Sequence, residues 1–85
     1  MTAPLRVRLF AQAREAAGSP TISWTVPTEG ETAAAVLEAI AALHPRLRRV
    51  VAHSRILVNG QYADPARTTV RPGDELAIHP PYSGG

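Results

Sequence analysis

The sequence contains no cysteine and no lysine. Without cysteine, the chain can form neither a disulfide framework nor a thiolate metal site. Any sulfur chemistry must therefore use a group other than a thiol. The absence of lysine makes all 9 basic residues arginine and removes every side-chain amine that could accept an isopeptide bond.

Aromatic residues and excess charge are also scarce, which argues against nucleic-acid binding. Aromatic residues make up 5% of the chain, and the formal net charge is +2. Nucleic-acid-binding surfaces usually combine a larger basic excess with aromatic side chains for stacking. The most basic run, RLRRVVAHSR (residues 46–55), has no aromatic residue, and we interpret it as a solvated loop.

Long apolar runs are absent as well. No stretch approaches the ~20 apolar residues of a membrane span, and MTAPLRVRLF at the start lacks the apolar run of a signal peptide. We therefore expect a cytoplasmic protein that does not bind membranes. A chain of 85 residues forms one small domain and buries only about 60% of its unfolded surface, which favours function through partners.

Two alternating segments near the start predict a β-hairpin. In LRVRLFA (residues 5–11), the two leucines and the valine face a core, whereas the arginines and Phe10 face away. TISWTV (residues 21–26) repeats the pattern. The intervening REAAGSP (residues 14–20) contains the glycine and proline that favour a turn.

The period changes after this hairpin. From Thr32 the apolar residues follow helical spacing, and the helix is expected to end at or just after Leu43, because Pro45 disfavours helical backbone in the preceding residue. Thr32 can cap the first turn, although Thr28 and Glu31 form a competing capping box.

Two further strands follow the helix. RILVNG (residues 55–60) predicts a strand that ends in an Asn-Gly hairpin turn. RPGD (residues 71–74) predicts a turn into a last strand, ELAIH, in which Glu75, Ala77 and His79 point away from the core.

The predicted order is strand, strand, helix, strand, strand. One main helix packed on one face of a mixed ββαββ sheet makes an α+β fold of the β-grasp, or ubiquitin-like, type, with the first and last strands parallel at the centre. We assign residues 1–79 to this domain and residues 80–85 to an extended, flexible tail.

Side-chain catalysis has little support in the sequence. The three histidines, His44, His53 and His79, are too scattered to form a metal set. No nucleophilic triad is recognisable, and no glycine-rich segment leads into the helix as a phosphate loop does. We therefore expect neither a metal site nor catalytic side chains in this chain.

The ending HPPYSGG (residues 79–85) is the exception. If Gly85 is the end of the chain, it contributes an α-carboxylate with no bulk behind it. Six residues from Pro80, extended at about 3.1 Å each, reach about 20 Å beyond the fold. Such a tail fits a narrow tunnel in which a Cβ at Gly84 or Gly85 would collide.

A free carboxylate is a poor electrophile, so this group requires activation. Formation of an acyl-adenylate with ATP solves that problem, and a sulfur nucleophile then converts the acyl group into a thiocarboxylate. A thioester or isopeptide product would instead make the chain a protein modifier. An unreactive end of a binding module also remains open at this point.

Three segments of the sequence carry a resemblance to a known family. LFAQAREAAG (residues 9–18), VNG (residues 58–60) and PGDELAIHPPYSGG (residues 72–85) resemble the MoaD family, the small subunits of molybdopterin synthase, within the MoaD/ThiS group of β-grasp sulfur carriers. The diglycine is shared with ThiS and ubiquitin, whereas the FAxxRExxG stretch and the two prolines favour MoaD.

The resemblance implies a complete reaction scheme. Gly85 is adenylated by a MoeB-type E1-like enzyme that uses ATP, and a persulfide donor supplies sulfur for the thiocarboxylate. The sulfur then goes to cyclic pyranopterin monophosphate in the large subunit, MoaE, within a heterotetramer of two MoaD and two MoaE chains. Catalytic side chains would lie on MoaE, and the carrier itself would bind no cofactor.

The resemblance also implies which residues meet the partners. The family uses apolar residues on the sheet face away from the helix, together with the tail. The matching positions are Phe10, Tyr62, His79, Pro80, Pro81, Tyr82 and Ser83. His79 stands where phenylalanine is common, and Tyr82 where a smaller aliphatic residue is usual.

Other functions share parts of this pattern. A ThiS-like carrier for thiamine or amino-acid biosynthesis would use the same tail chemistry with a different acceptor. A ubiquitin-like modifier would join its tail to lysines of other proteins.

Overall fold

The computed structural model describes residues 3–81 of the chain. The elements in chain order are β1 (Leu5–Leu9), α1 (Gln12–Ala17), β2 (Thr21–Trp24), β3 (Glu31–Thr32), α2 (Ala33–Leu43), α3 (Pro45–Ala52), β4 (Arg55–Val58), β5 (Gln61–Tyr62), β6 (Thr69–Val70) and β7 (Glu75–His79). Four of the strands are those that the alternating patterns predict, namely β1, β2, β4 and β7.

The main sheet has five strands in the order β2-β1-β7-β4-β5. The first and last strands, β1 and β7, pair in parallel at its centre, and the other neighbouring pairs are antiparallel. Strands β3 and β6 form a separate antiparallel pair. The central parallel pair and the helix α2 against the sheet make this the β-grasp, α+β fold that the sequence predicts.

The core follows the strand alternation. Leu5, Val7 and Leu9 of β1 are buried, while the two arginines between them are exposed. Leu76 and Ile78 of β7 are also fully buried, and the apolar face of α2 packs in the same cluster. This confirms the predicted inward faces of β1 and β7.

The main helix begins where Thr32 caps it. The Thr32 hydroxyl accepts a hydrogen bond from the Ala35 amide at 3.2 Å, which satisfies an amide that has no partner within the helix. Thr32 is therefore the cap, in preference to the Thr28 capping box. The helix ends at Leu43, as the following proline predicts.

The prediction of a solvated loop for residues 46–55 is wrong, because most of that run forms helix α3. Pro45 is at the first position of this helix, where its missing amide hydrogen costs nothing. Leu47 is fully buried, and Val50 and Val51 pack against the core. These three residues have the i, i+3, i+4 spacing of a helix face, which the intervening arginines obscure.

The prediction of a simple turn between the first two strands is also wrong. The strands do pair antiparallel, but α1 lies between them and buries Ala13. Strand β1 ends at Leu9, two residues earlier than predicted, and Ala11 has a positive φ of 50°. Residues 3–81 thus contain three helices where the sequence predicts one.

The Asn59-Gly60 hairpin is confirmed. Val58 faces Gln61, which leaves Asn59 and Gly60 as a two-residue loop, and both have positive φ, at 50° and 83°. The Asn59 side chain donates to Asp74 Oδ1 at 3.2 Å and accepts from the Glu75 amide at 3.0 Å. It therefore ties the hairpin to the start of the last strand.

Candidate partner-binding site

The sheet face opposite α2 is built by strand register. Leu57 of β4 faces Tyr62 of β5 and Ala77 of β7, so these three side chains share one face. Arg8 of β1 faces Ala77 from the other side, which extends the row across β1. The adjacent core row pairs Ile56 with Ile78 on the opposite face. This outer face is the one on which the sequence placed Phe10 and His79.

Phe10 and His79 stack at one end of this face. Their ring centroids are 4.1 Å apart with an interplanar angle of 25°. The arrangement follows from the parallel central strands, because the Phe10 amide, just beyond β1, donates to the Ile78 carbonyl at 3.3 Å. Both side chains are half-buried, so their outer surfaces remain available for contact.

Arg8 adds a cation to this stack. Its guanidinium carbon is 5.1 Å from the Phe10 ring centroid, within the range of a cation–π interaction. The same side chain approaches Glu75, with 3.7 Å between Nη1 and Oε1. Because both partners of this ion pair are partly exposed, it mainly orients Arg8 and adds little stability.

Tyr62 continues the face beyond β4. It is 70% exposed, unusually open for a large aromatic side chain. The Arg55 guanidinium carbon lies 5.5 Å from its ring centroid, and Arg55 donates to the tyrosine hydroxyl at 3.3 Å. Arg55 also faces His79 across the strands, so it connects Tyr62 with the Phe10–His79 stack.

We call Phe10, Tyr62 and His79 the aromatic surface. The structure brings these three predicted residues onto one face. It also identifies two neighbours of these residues, Arg8 and Arg55, that are not among the candidates predicted from the sequence. Strand alternation places Arg8 beside Phe10, but the contact between Arg55 and Tyr62 depends on the hairpin register.

The chain leaves the sheet between two clefts. After β7 ends at His79, Pro80 is half-buried and Pro81 is exposed. One cleft of about 490 Å³ is lined by Phe10, Gln12 and His79 together with both prolines. A second, of about 310 Å³, lies on the α3 side of the same prolines. The predicted residues Tyr82, Ser83, Gly84 and Gly85 lie outside the described residues.

A larger cleft lies away from the tail junction. It measures about 570 Å³ and is lined by residues of α2, α3, β4, β5 and the loop after β5, including Leu37, Val51, Tyr62 and Pro65. Its lining contains no carboxylate or imidazole side chain. The prolines that follow β7 are not part of it.

Residues 3–81 offer neither a metal cluster nor a membrane-spanning helix. This part of the chain contains no group of three or more histidine or acidic side chains close enough to hold a metal ion. It also contains no helix long and apolar enough to cross a membrane.

The fold of the chain has counterparts in known proteins. The family model of the ThiS family matches residues 7–85, almost the whole chain. The chain belongs to the ThiS family. The molybdopterin synthase sulfur carrier subunit of Arabidopsis thaliana is 36% identical to this ThiS-family chain, over 95% of the chain and 82% of the relative.

A second relative has a different described role. Small archaeal modifier protein 1 of Haloferax volcanii is 38% identical, over 92% of this ThiS-family chain and 97% of the relative. The crystal structure of that organism's SAMP1 matches with a TM-score of 0.82 and 35% identity, and covers 98% of this chain and 100% of the solved chain.

A more distant structure shares the fold alone. It is a chain from the complex of subunits 1 and 2 of the molybdopterin-converting factor of Helicobacter pylori. Its TM-score is 0.67 at 21% identity, with 95% of this ThiS-family chain and 97% of that chain covered.

Proposed function

We propose that this protein is a sulfur carrier and the small subunit of a molybdopterin synthase. The observation that carries the proposal is the 36% identity to a molybdopterin synthase sulfur carrier subunit, and the ThiS family match, which runs through Gly85, supports it. The absence of cysteine is consistent with it, because a thiocarboxylate at the chain end carries sulfur without a thiol.

The first step activates the Gly85 carboxylate. An oxygen of the carboxylate attacks the α-phosphorus of ATP in a MoeB-type adenylating enzyme, and pyrophosphate leaves. The product is a mixed anhydride whose AMP group is a good leaving group. The carrier supplies the reacting carbonyl, and the catalytic side chains belong to the enzyme.

The second step replaces AMP with sulfur. Sulfide attacks the carbonyl carbon and releases AMP, which leaves a thiocarboxylate directly. A persulfide donor forms an acyl disulfide instead, and a thiol must then deliver two electrons to release the thiocarboxylate. Either route places the sulfur on Gly85.

The third step transfers sulfur to cyclic pyranopterin monophosphate in a MoaE-type large subunit, within a heterotetramer of two carriers and two large subunits. The aromatic surface is suited to dock both protein partners, because aromatic side chains and arginine are enriched at the centres of interfaces. The two prolines hold the emerging chain extended and so direct it away from the sheet.

The test is the intact mass of the purified chain before and after incubation with ATP, sulfide and a MoeB-type enzyme. We expect a gain equal to the replacement of one oxygen by sulfur. A variant that lacks Gly85 is the control and should gain nothing. An unchanged mass, with an enzyme that modifies another carrier, would contradict the proposal.

A modifier is the second candidate, because small archaeal modifier protein 1 is as similar to the chain as the sulfur carriers. This function predicts adducts between the chain end and lysines of other proteins. Since the chain has no lysine, it can be joined to targets but cannot form lysine-linked chains with itself. Mass spectrometry of proteins copurified from the native cell distinguishes the two roles.

A further inference from the structure

Helix α3 presents a basic stripe beside the place where the chain leaves the fold. The helix carries three arginines and has no acidic residue in its first turn. Arg46 and Arg49 are three residues apart, and His53 caps the helix four residues later, so all three lie along one side. We call these residues the α3 stripe.

The arginines of this stripe are not used within the fold. Arg48, on another side of the helix, pairs with Glu38 at 2.9 Å. Within residues 3–81, neither Arg46 nor Arg49 makes an ion pair or a side-chain hydrogen bond, and both are exposed. Their charges are therefore available to another molecule.

Helix stability explains only part of the stripe, because Arg49 lies in the last turn of α3, where the helix dipole favours a basic side chain. Arg46 lies in the first turn of α3, where the helix dipole favours an acidic side chain and disfavours a basic one. Arg46 and Arg49 are also like charges at a spacing at which side chains are neighbours. Both features cost stability, although the amounts are small at an exposed site.

The stripe is adjacent to the tail. Arg49 and His53 line the 310 Å³ cleft whose other walls include Gln12, Pro80 and Pro81. A protein that encloses the residues after Pro81 must bring the rim of its opening against this cleft. The α3 stripe therefore meets the rim, on the opposite side of the prolines from the aromatic surface.

We propose that the α3 stripe is a second docking surface, which recognises an acidic rim around the opening of the protein that receives the tail. The proposal rests on the proposed function, since it requires that a partner encloses the tail. Charged groups at an interface rim steer association and fix orientation. A nucleic-acid partner is disfavoured, because neither α3 nor the cleft contains a phenylalanine, tyrosine or tryptophan side chain for base stacking.

The experiment compares two charge reversals in the full chain. Arg49→Glu changes the stripe, and Arg67→Glu makes the same change in net charge in the loop between β5 and β6, away from the tail junction. Arg49→Lys keeps the charge and serves as the rescue variant. Thermal unfolding followed by circular dichroism checks that all three variants fold.

Binding and chemistry are measured separately. Calorimetry gives the Kd of each variant for a MoeB-type enzyme and for a MoaE-type large subunit, without ATP, at low and at physiological salt. Intact mass with ATP and sulfide reports the thiocarboxylate. We expect Arg49→Glu to raise the Kd for at least one partner about tenfold at low salt, and less at physiological salt. Arg67→Glu and Arg49→Lys should stay within about twofold of the unchanged chain.

The outcomes separate the two proposals. Equal Kd values for Arg49→Glu and Arg67→Glu with both partners would overturn the docking surface, even if the thiocarboxylate forms normally. A selective loss of binding in Arg49→Glu, with no thiocarboxylate in the unchanged chain, would support the docking surface and overturn the chemistry. Failure of the unchanged chain to bind either partner would overturn both.

Discussion

Phe10 and His79 stack with their ring centroids 4.1 Å apart, at the point where the two parallel central strands end. His79 is the last residue of β7, and Phe10 directly follows β1. The pair is thus held by the most deeply buried part of the fold, and the chain continues from His79 directly into the two prolines. A partner that binds this stack binds within one residue of the tail.

Substitution of Phe10 by aspartate should weaken binding to a MoaE-type large subunit. The change removes the stacked ring and places a carboxylate beside His79 in the aromatic surface. Loss of an aromatic interface contact typically costs about 1–3 kcal/mol, which corresponds to a rise in Kd of roughly fivefold to 150-fold. Calorimetry measures the change.

Ser23→Asp is the matched control for this substitution. Ser23 of β2 lies opposite Arg6 of β1, is exposed, and lies towards the other end of the same sheet face. The substitution introduces the same charge without touching the aromatic surface. If both variants bind as tightly as the unchanged chain, Phe10 is not part of the docking surface.

Addition of one residue after Gly85 should abolish sulfur transfer. In the proposed mechanism the reacting carbonyl carbon lies at the end of a narrow opening, and an added residue blocks the carboxylate of Gly85 as an amide. The assay is single-turnover transfer with the large subunit, and a tag at the other end of the chain is the control. Full activity of the extended chain would contradict the mechanism.

Replacement of Asn59 by alanine should destabilise the fold by about 1–3 kcal/mol. The change removes the bonds to Asp74 and to the Glu75 amide, and it places alanine at a φ of 50°. Urea unfolding measures the loss. Asn59→Gly tolerates the backbone conformation but also lacks the two bonds, so it should recover only part of the stability. Full recovery of stability in Asn59→Gly would show that the backbone conformation, and not the two hydrogen bonds, accounts for the loss.

Replacement of Gly30 by alanine should also destabilise the fold. An added Cβ would lie 2.5 Å from the Thr69 methyl group and 3.0 Å from the Val70 carbonyl oxygen, at a φ of 95°. Gly18→Ala provides the comparison, because it also has a positive φ but has open space around the new atom. We expect a loss of about 1 kcal/mol at Gly18 and a larger one at Gly30. Equal losses of stability in Gly18→Ala and Gly30→Ala would mean that β6 shifts to accommodate the new methyl group at no cost in free energy.

Much of the fold is readable from local patterns. The alternation in β1, the helical spacing from Thr32 to Leu43 and the Asn59-Gly60 loop each specify structure within a few residues. Helix α3 was missed because arginines separate its apolar residues, so its composition resembles that of a loop. Helix α1 is not predicted because it is short and the residues that it packs against the core, Ala13, Ala16 and Ala17, are small.

The candidate site can be predicted from the sequence only in part. Strand alternation predicts that Phe10 and His79 point outward, but their stacking requires the register of β1 against β7. That register joins the two ends of the domain, and no local pattern specifies it. The contact of Arg55 with Tyr62 likewise depends on how far a long side chain reaches across a hairpin.

The parallel pairing of β1 with β7 also governs timing during synthesis. β1 is the first strand of the domain and β7 the last, so the central ladder forms only after the elements between them have been made. Closing such a long loop is slow compared with forming a helix or a hairpin. The Phe10–His79 stack therefore forms only as the domain completes its folding. A partner that requires this stack will discriminate against incompletely folded molecules.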